Sequence, residues 1–226
     1  MTEEATSVRR GRPPQTQEQA EEVRARIVEA TAAVFARNGS RGLSVAQIIE
    51  QAGLARPTFY RYFSNAAEPL RAVLDASNDG LVGGISAALA GTDEPVQLGI
   101  RLIDAYVDWA RGHGAMLRPL FAELHDPGSP VSAYRERALD DIRDLVRKTF
   151  GELGRTVPAP LDLDAALHVC EYVVYRLTAD AEPGSDPDPI LVSEARVTMI
   201  RILLVTLGTR DDLAYAMELP GLFPDS

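Results

Sequence analysis

Arg56, Thr58, Tyr60, Arg61 and Tyr62 crowd into seven consecutive positions, with Pro57 between the first two. A guanidinium can pair bidentately with the O6 and N7 edge of guanine in a major groove. Thr and Tyr hydroxyls suit phosphate oxygens, contacts that set register rather than sequence. Ser44, a little upstream, opens a helical pattern, and the unpaired N–H groups of a helix start favour a phosphate. These groups are suited to holding a polyanion rather than to making or breaking bonds. Arg9, Arg10 and Arg12, followed by Pro13, form a basic arm able to reach an adjacent minor groove. A plain solubilising tail would have the same composition.

Such side chains need a rigid support. Val23, Ile27, Ala30 and Val34 recur at helical spacing, and Phe35 widens the stripe. This first helix should stop at Gly39, after Arg37 and Asn38. Ser44 can cap a second helix, whose Val45, Ile48, Ile49 and Ala52 share one face. Gly53 supplies a turn. A third helix is predicted from Arg56 to Phe63, with Phe59 and Phe63 four apart and pointing inward. Phe59, Phe63, Ile48 and the first helix then make a small core, leaving Arg56, Pro57, Thr58, Tyr60, Arg61 and Tyr62 towards solvent or ligand. Two short helices joined by a tight glycine turn are the pattern of a helix-turn-helix. An ordinary helical hairpin with a solvated basic face shares the same spacing. Asn65 with Glu68 resembles a capping box for a fourth helix, with Pro69 in or just past its first turn. Gly80, Gly83 and Gly84 read as the termination of that connecting helix.

The charge is uneven. The 226 residues carry a net −10, but the stretch through Arg71 is +2 and the remainder −12. Only one end is therefore suited to a polyanion. The length suits one large domain or two unequal ones. No apolar run reaches membrane-spanning length without charges. The start, Met-Thr-Glu-Glu, lacks the apolar stretch of a signal peptide, so a cytoplasmic location is expected. The one cysteine, Cys170, excludes an internal disulfide and reads as a small buried apolar residue.

Beyond the basic third, apolar stripes near 96–111, 115–124, 130–150, 162–180 and 190–208 predict further helices. Gly/Pro/Asp breaks separate them at Gly91–Pro95, Asp126–Pro130, Val157–Pro160 and Glu182–Pro189. No strand-type alternation is evident, so the fold class is all-α. Leu163, Leu167, Cys170, Val174 and Leu177 form one stripe, with a second flank at Ala166, Val169 and Val173. The last long helix is apolar nearly all round from Met199 to Leu207. A helix with two apolar faces must bury both, and the second face can meet its copy in a two-fold dimer. A central helix buried in a monomer is the alternative. Trp109, Phe121, Tyr172 and Arg176 are the preferred lining of a small-molecule pocket, mostly apolar with a few fixed polar groups. Arg176 could instead pair with Asp180, four residues on, and that pairing is slightly favoured.

The string Ile27-Val-Glu-Ala, Phe35-Ala-Arg-Asn-Gly39, Leu43-Ser-Val-Ala-Gln-Ile-Ile49, Ala52-Gly-Leu54 and Thr58-Phe-Tyr-Arg-Tyr-Phe63 resembles the N-terminal domain of the tetracycline-repressor-like (TetR) family of transcriptional regulators. About fifty residues carry the resemblance. It implies an all-α homodimer with a C-terminal effector-binding body and a four-helix dimer interface. It also implies repression relieved by a small molecule. Family phosphate contacts fall on Ser44, Thr58, Tyr60 and Tyr62, and base-reading positions on Arg56, Pro57 and Arg61. Two departures stand out. Ala55 replaces the serine frequent before the third helix, and Ala66 replaces a lysine usual after the cap of the fourth. Losing that lysine removes one phosphate contact, so a flatter salt dependence than in lysine-bearing relatives is expected, by about 0.9 in slope.

The reading is thus a flexible basic arm (1–16), a helix-turn-helix DNA-binding domain (17–64) and a helical ligand-binding and dimerisation domain (65–226). Its expected partners are double-stranded DNA, a second copy of itself and a small-molecule effector, with no membrane. No P-loop, dinucleotide fingerprint or Ser-His-Asp signature occurs, and the three histidines lack zinc-pair spacing. No enzyme activity, cofactor or metal is expected. Two rival readings remain: an effector-independent regulator, and a helical ligand-carrier or enzyme whose helix-turn-helix is incidental.

Overall fold

The computed structural model describes residues 16–179 and 188–223. The arm residues Arg9, Arg10 and Arg12 lie outside the described residues, as does Asp180, the expected partner of Arg176. Among the described residues the architecture is all-α.

Helix α1 (Gln17–Asn38) opens on a reciprocal cap between Thr16 and Gln19 and closes at Gly39, whose N–H bonds to Phe35 O at 2.8 Å. Helix α2 (Val45–Ala52) is capped by the Ser44 hydroxyl and stopped by Gly53, whose φ of +61° is the left-handed conformation that favours glycine. Helix α3 (Arg56–Phe59) is shorter than the sequence predicts. After Phe59 the N–H groups of Arg61 and Tyr62 reach back three residues, to Thr58 and Phe59, rather than four. A segment this short, with no side-chain cap from Ala55, tightens at its end instead of extending. Ile27, Ala30, Ile48, Ala52, Phe59 and Phe63 close into a core separate from the main one. Phe35 leaves this stripe and packs into the larger cluster, so α1 belongs to both.

Helix α4 (Ala67–Leu89) connects the two parts. Asn65 Oδ1 accepts from the N–H groups of Ala67 and Glu68, and Glu68 Oε2 accepts from Ser64 N–H at 2.7 Å. The expected box is therefore present in function, with its return bond displaced by one residue. Termination at Gly80, Gly83 and Gly84 is corrected, because the helix runs through all three. Apolar neighbours on either side, Leu81 and Ile85, are buried, and that burial outweighs the glycine penalty of about 1 kcal/mol per residue. A Cβ on Gly80 or Gly84 would stand 4.0 Å from Trp109 or Ala105.

The body continues with α5 (Pro95–His113), a 3-10 turn (Gly114–Met116), α6 (Leu117–Glu123), α7 (Pro130–Glu152), α8 (Pro160–Ala179) and α9 (Pro189–Leu207). Glu94, Ser129 and Asp188 cap α5, α7 and α9, each with proline at the start. A further helix absent from the sequence reading, α10 (Arg210–Met217), starts on a Thr209–Asp212 box. No described helix is long and apolar enough to cross a membrane.

Candidate nucleic-acid interface and cavity

The face around α3 is built by what its core excludes. Phe59 and Phe63 point inward with ring centroids 6.1 Å apart. Arg56, Pro57, Tyr60 and Arg61 are exposed, and Thr58 and Tyr62 are half-buried. Arg56 lies over the Tyr60 ring at 5.6 Å and donates from Nη2 to its hydroxyl at 3.3 Å. Arg61 lies over the Tyr62 ring at 5.8 Å. Among the described residues neither arginine joins an ion pair. Both charges are thus steered by aromatic faces but not neutralised, which leaves them available to an anion. Ser44 is exposed at the start of α2, its hydroxyl at 3.4 Å from Gln47 N. Ala66, at the lysine position of the resemblance, packs against the small core.

This head is fastened to the body at one polar joint. Glu123, the last residue of α6, accepts from Ser40 N–H at 2.8 Å through Oε1 and from the Ser129 hydroxyl at 2.5 Å through Oε2. Gly39 makes room for it. Its φ is +66°, and a Cβ there would fall 2.6 Å from Glu123 Oε1. Arg41 and Asp126 add a 2.7 Å ion pair beside the joint. None of these residues was singled out in the sequence. The turn glycine at 39 was the only signal.

Inside the body, α4 to α9 surround a mostly apolar cavity of about 80 Å³. Trp109 and Phe121 line it. Hydrogen bonds tie α4 to the other walls. Trp109 Nε1 donates to Ser77 O at 3.0 Å, and Asn78 Nδ2 donates to Tyr134 O at 2.7 Å. His113 stands behind, its ring nitrogens 2.7 Å from Trp109 O and 2.9 Å from Ser77 Oγ. Burial lowers its pKa below 6.5, with the Trp109 carbonyl opposing. Leu120, Phe121 and Leu124 bring α6 to the same cavity, so the helix that carries the polar joint is also a wall.

Residues 27–73 match the family described as bacterial regulatory proteins, tetR family. That match places the segment carrying α1 to α3 and the start of α4 in the tetR family. Among its relatives, the transcriptional activator FasR of Mycolicibacterium smegmatis is 27% identical over 135 residues, 58% of this chain and 62% of that protein. The regulator TtgR of Pseudomonas putida is 39% identical over 64 residues, 28% of this chain and 30% of that protein. The chain thus spans less than two thirds of the length of either relative. The structure of the fatty acid degradation regulator FadR from Bacillus halodurans superposes with a TM-score of 0.66 at 17% identity, covering 83% of this chain and 96% of that one. That likeness is one of fold.

Two of the four residues expected in the pocket stand elsewhere. Tyr172 is 61% exposed, and Arg176 is exposed on the same side of α8. The buried positions of α8 are Leu163, Ala166, Leu167, Cys170 and Val174. Tyr172 is two residues from Cys170, about 200° around the helix, and so faces away. The polar wall is instead Arg135 of α7 with Glu171 of α8, joined at 2.6 Å. A signal for both was present. Arg135 interrupts the stripe Val131, Ala138, Leu139, Ile142 and Val146, and Glu171 falls four residues after Leu167. Cys170, beside them, is buried, and burial with the Glu171 charge pushes its thiol pKa up to about 12.

Proposed function

We propose that the protein is a dimeric DNA-binding transcriptional regulator, a repressor released from a palindromic operator by a small molecule held in the cavity. One observation carries this reading: Arg56, Pro57, Tyr60 and Arg61 are exposed outside a core that fixes their backbone, Thr58 and Tyr62 are half-buried beside them, and among the described residues neither arginine joins an ion pair. Arg56 and Arg61, with Pro57, would read base edges. Ser44, Thr58, Tyr60 and Tyr62 would hold phosphates. Residues 17–64 would be the reading unit and the chain from 65 onward the regulatory and dimerising unit, working in the cytoplasm.

One head offers few base contacts. Two heads spaced by about 34–36 Å would read both halves of a palindrome. The second copy would dock on the outer faces of α8 and α9, where Val169, Tyr172, Tyr175, Leu191 and Val205 are exposed. Isologous burial of such a face satisfies a helix that is apolar on two sides. In the bound state the heads match successive major grooves. Effector in the cavity would shift α4 and α6, and with them the heads. It acts only by binding the released state more tightly, and a tenfold loss of operator affinity needs about 1.4 kcal/mol of coupling.

A mobility-shift assay with the DNA upstream of its own gene tests this. The wild-type dimer should retard a fragment, and R56A with Y60A should abolish the shift while the protein stays dimeric. A reporter fused to the same fragment reads the sign of regulation. A monomer that ignores every fragment of its locus at low ionic strength would leave the helical carrier or enzyme as the better reading.

A further inference from the structure

The lining of the cavity includes one charged pair, Arg135 with Glu171. Arg135 is only 8% exposed. Each of its three guanidinium nitrogens donates to a carboxylate: Nε and Nη2 to Glu171, Nη1 to Glu136 at 2.5 Å. The buried cation is therefore spoken for, and with both carboxylates counted the cluster carries a net −1. Glu136 holds its share of that charge out in solvent, whereas Glu171 faces the cavity wall. Across from them stands Tyr106 of α5, whose hydroxyl has no hydrogen-bond partner among the described residues while its ring is buried in the same lining. No buried side-chain polar atom among the described residues lacks a partner, so this hydroxyl borders the cavity rather than being sealed in protein, and a ligand that accepts from it gains a hydrogen bond. Burial, Glu171 and Cys170 all raise its pKa, against Arg135, so the group stays a neutral donor.

We infer that the cavity takes an uncharged apolar molecule bearing a hydroxyl, not a carboxylate or an amine. The hydroxyl oxygen accepts from Tyr106 and its proton goes to Glu171, while the hydrocarbon body lies among Leu81, Ile103 and Leu139. A carboxylate placed there would meet Glu171 with no cation left to offset it. An ammonium would lose its hydration to face a carboxylate already neutralised by Arg135. This rests on the cavity being the effector site, and it names the class of effector.

Decan-1-ol, decanoate and decylamine of equal chain length discriminate the classes. Thermal melting of the DNA-free protein measures binding, and a mobility shift on its own upstream fragment measures release. Decan-1-ol should raise the melting temperature and release DNA at concentrations at least about tenfold below the other two, the worth of one hydrogen bond to a charged group. Y106F should weaken decan-1-ol by about tenfold. E171Q should free Arg135 and invert the preference in favour of decanoate. The inference fails if decanoate or decylamine binds the wild type as tightly as decan-1-ol, if none of the three shifts melting, or if Y106F binds the alcohol unchanged. Should E171Q not fold, the wild-type ranking and Y106F still decide. If decan-1-ol binds but DNA stays bound, the ligand class stands and the release mechanism falls.

Discussion

Tyr60 and Tyr106 are the same residue put to opposite uses. Tyr60 stands outside the head, braced by Phe59 edge-on at 5.5 Å and gripped by Arg56. Tyr106 is buried in the body, stacked on Trp109 at 5.8 Å, in the lining of a cavity. The difference runs through both regions. The head keeps a small apolar core and spends its polar side chains outward. The body turns Arg135, Glu171 and Tyr106 inward and leaves Tyr172, Tyr175 and Val205 on its surface. A surface for a large, water-facing polyanion needs charges that stay hydrated until contact. A chamber for a small ligand needs its few polar groups placed beforehand in a dry wall.

That contrast predicts which substitutions cost folding and which cost binding. Phe59→Ala should have the largest effect, about 3–5 kcal/mol of stability; calorimetry should show an early-melting head and DNA binding should vanish with it. Its outward neighbours should behave differently. R56A with Y60A should cost DNA affinity roughly a hundredfold, two base or phosphate contacts, with melting changed by no more than about 0.5 kcal/mol. If that pair melts early, the outward face is structural after all. Glu123→Gln, at the joint, should fall between, with about 1 kcal/mol lost and a smaller effector-induced release at saturating ligand. Gly83→Ala lies inside α4 with nothing within 4 Å of the new Cβ, so melting should show a gain of about 0.5–1 kcal/mol. The smallest effect is on pH dependence. Burial depresses the folded pKa of His113 below 6.5, so the unfolded chain protonates first. Its stabilisation is present above about pH 6.5 and is lost as the pH falls towards the lowered folded value. His113→Gln should flatten the acid-side decline in melting temperature.

The same contrast explains what could be read from the residues alone. In the head, local signals agree with one another: Ser44 caps, Gly53 turns, and Phe59 and Phe63 share a face. Their partners lie close along the chain, so periodicity suffices. The end of α3 escaped because whether four residues extend or tighten depends on hydrogen bonds that spacing does not show. In the body, the helices around 96–111, 130–150, 162–180 and 190–208 were legible from their stripes. α4 was cut short by three glycines whose cost is met by packing against α5, a contact between distant segments. Tyr172 and Arg176 have the residue types of a pocket lining but the helical phase of the outer face of α8. Arg135 and Glu171 are charges standing in apolar stripes, a mark that points to pairing once both helices are known to face each other. The Ser40–Glu123 bond joins residues 83 apart, and nothing local announces it.

Gly39 has a consequence for anyone who would rebuild this protein by exchanging parts. The seam between the two units passes through a left-handed turn where any side chain would have to push the Glu123 carboxylate aside. A chimera that transplants the reading head onto a foreign chassis must therefore carry residue 39 and the carboxylate at 123 as a matched lock and key. Swapped separately, the head would keep its own small core but lose the hydrogen bond that ties Ser40 to the body.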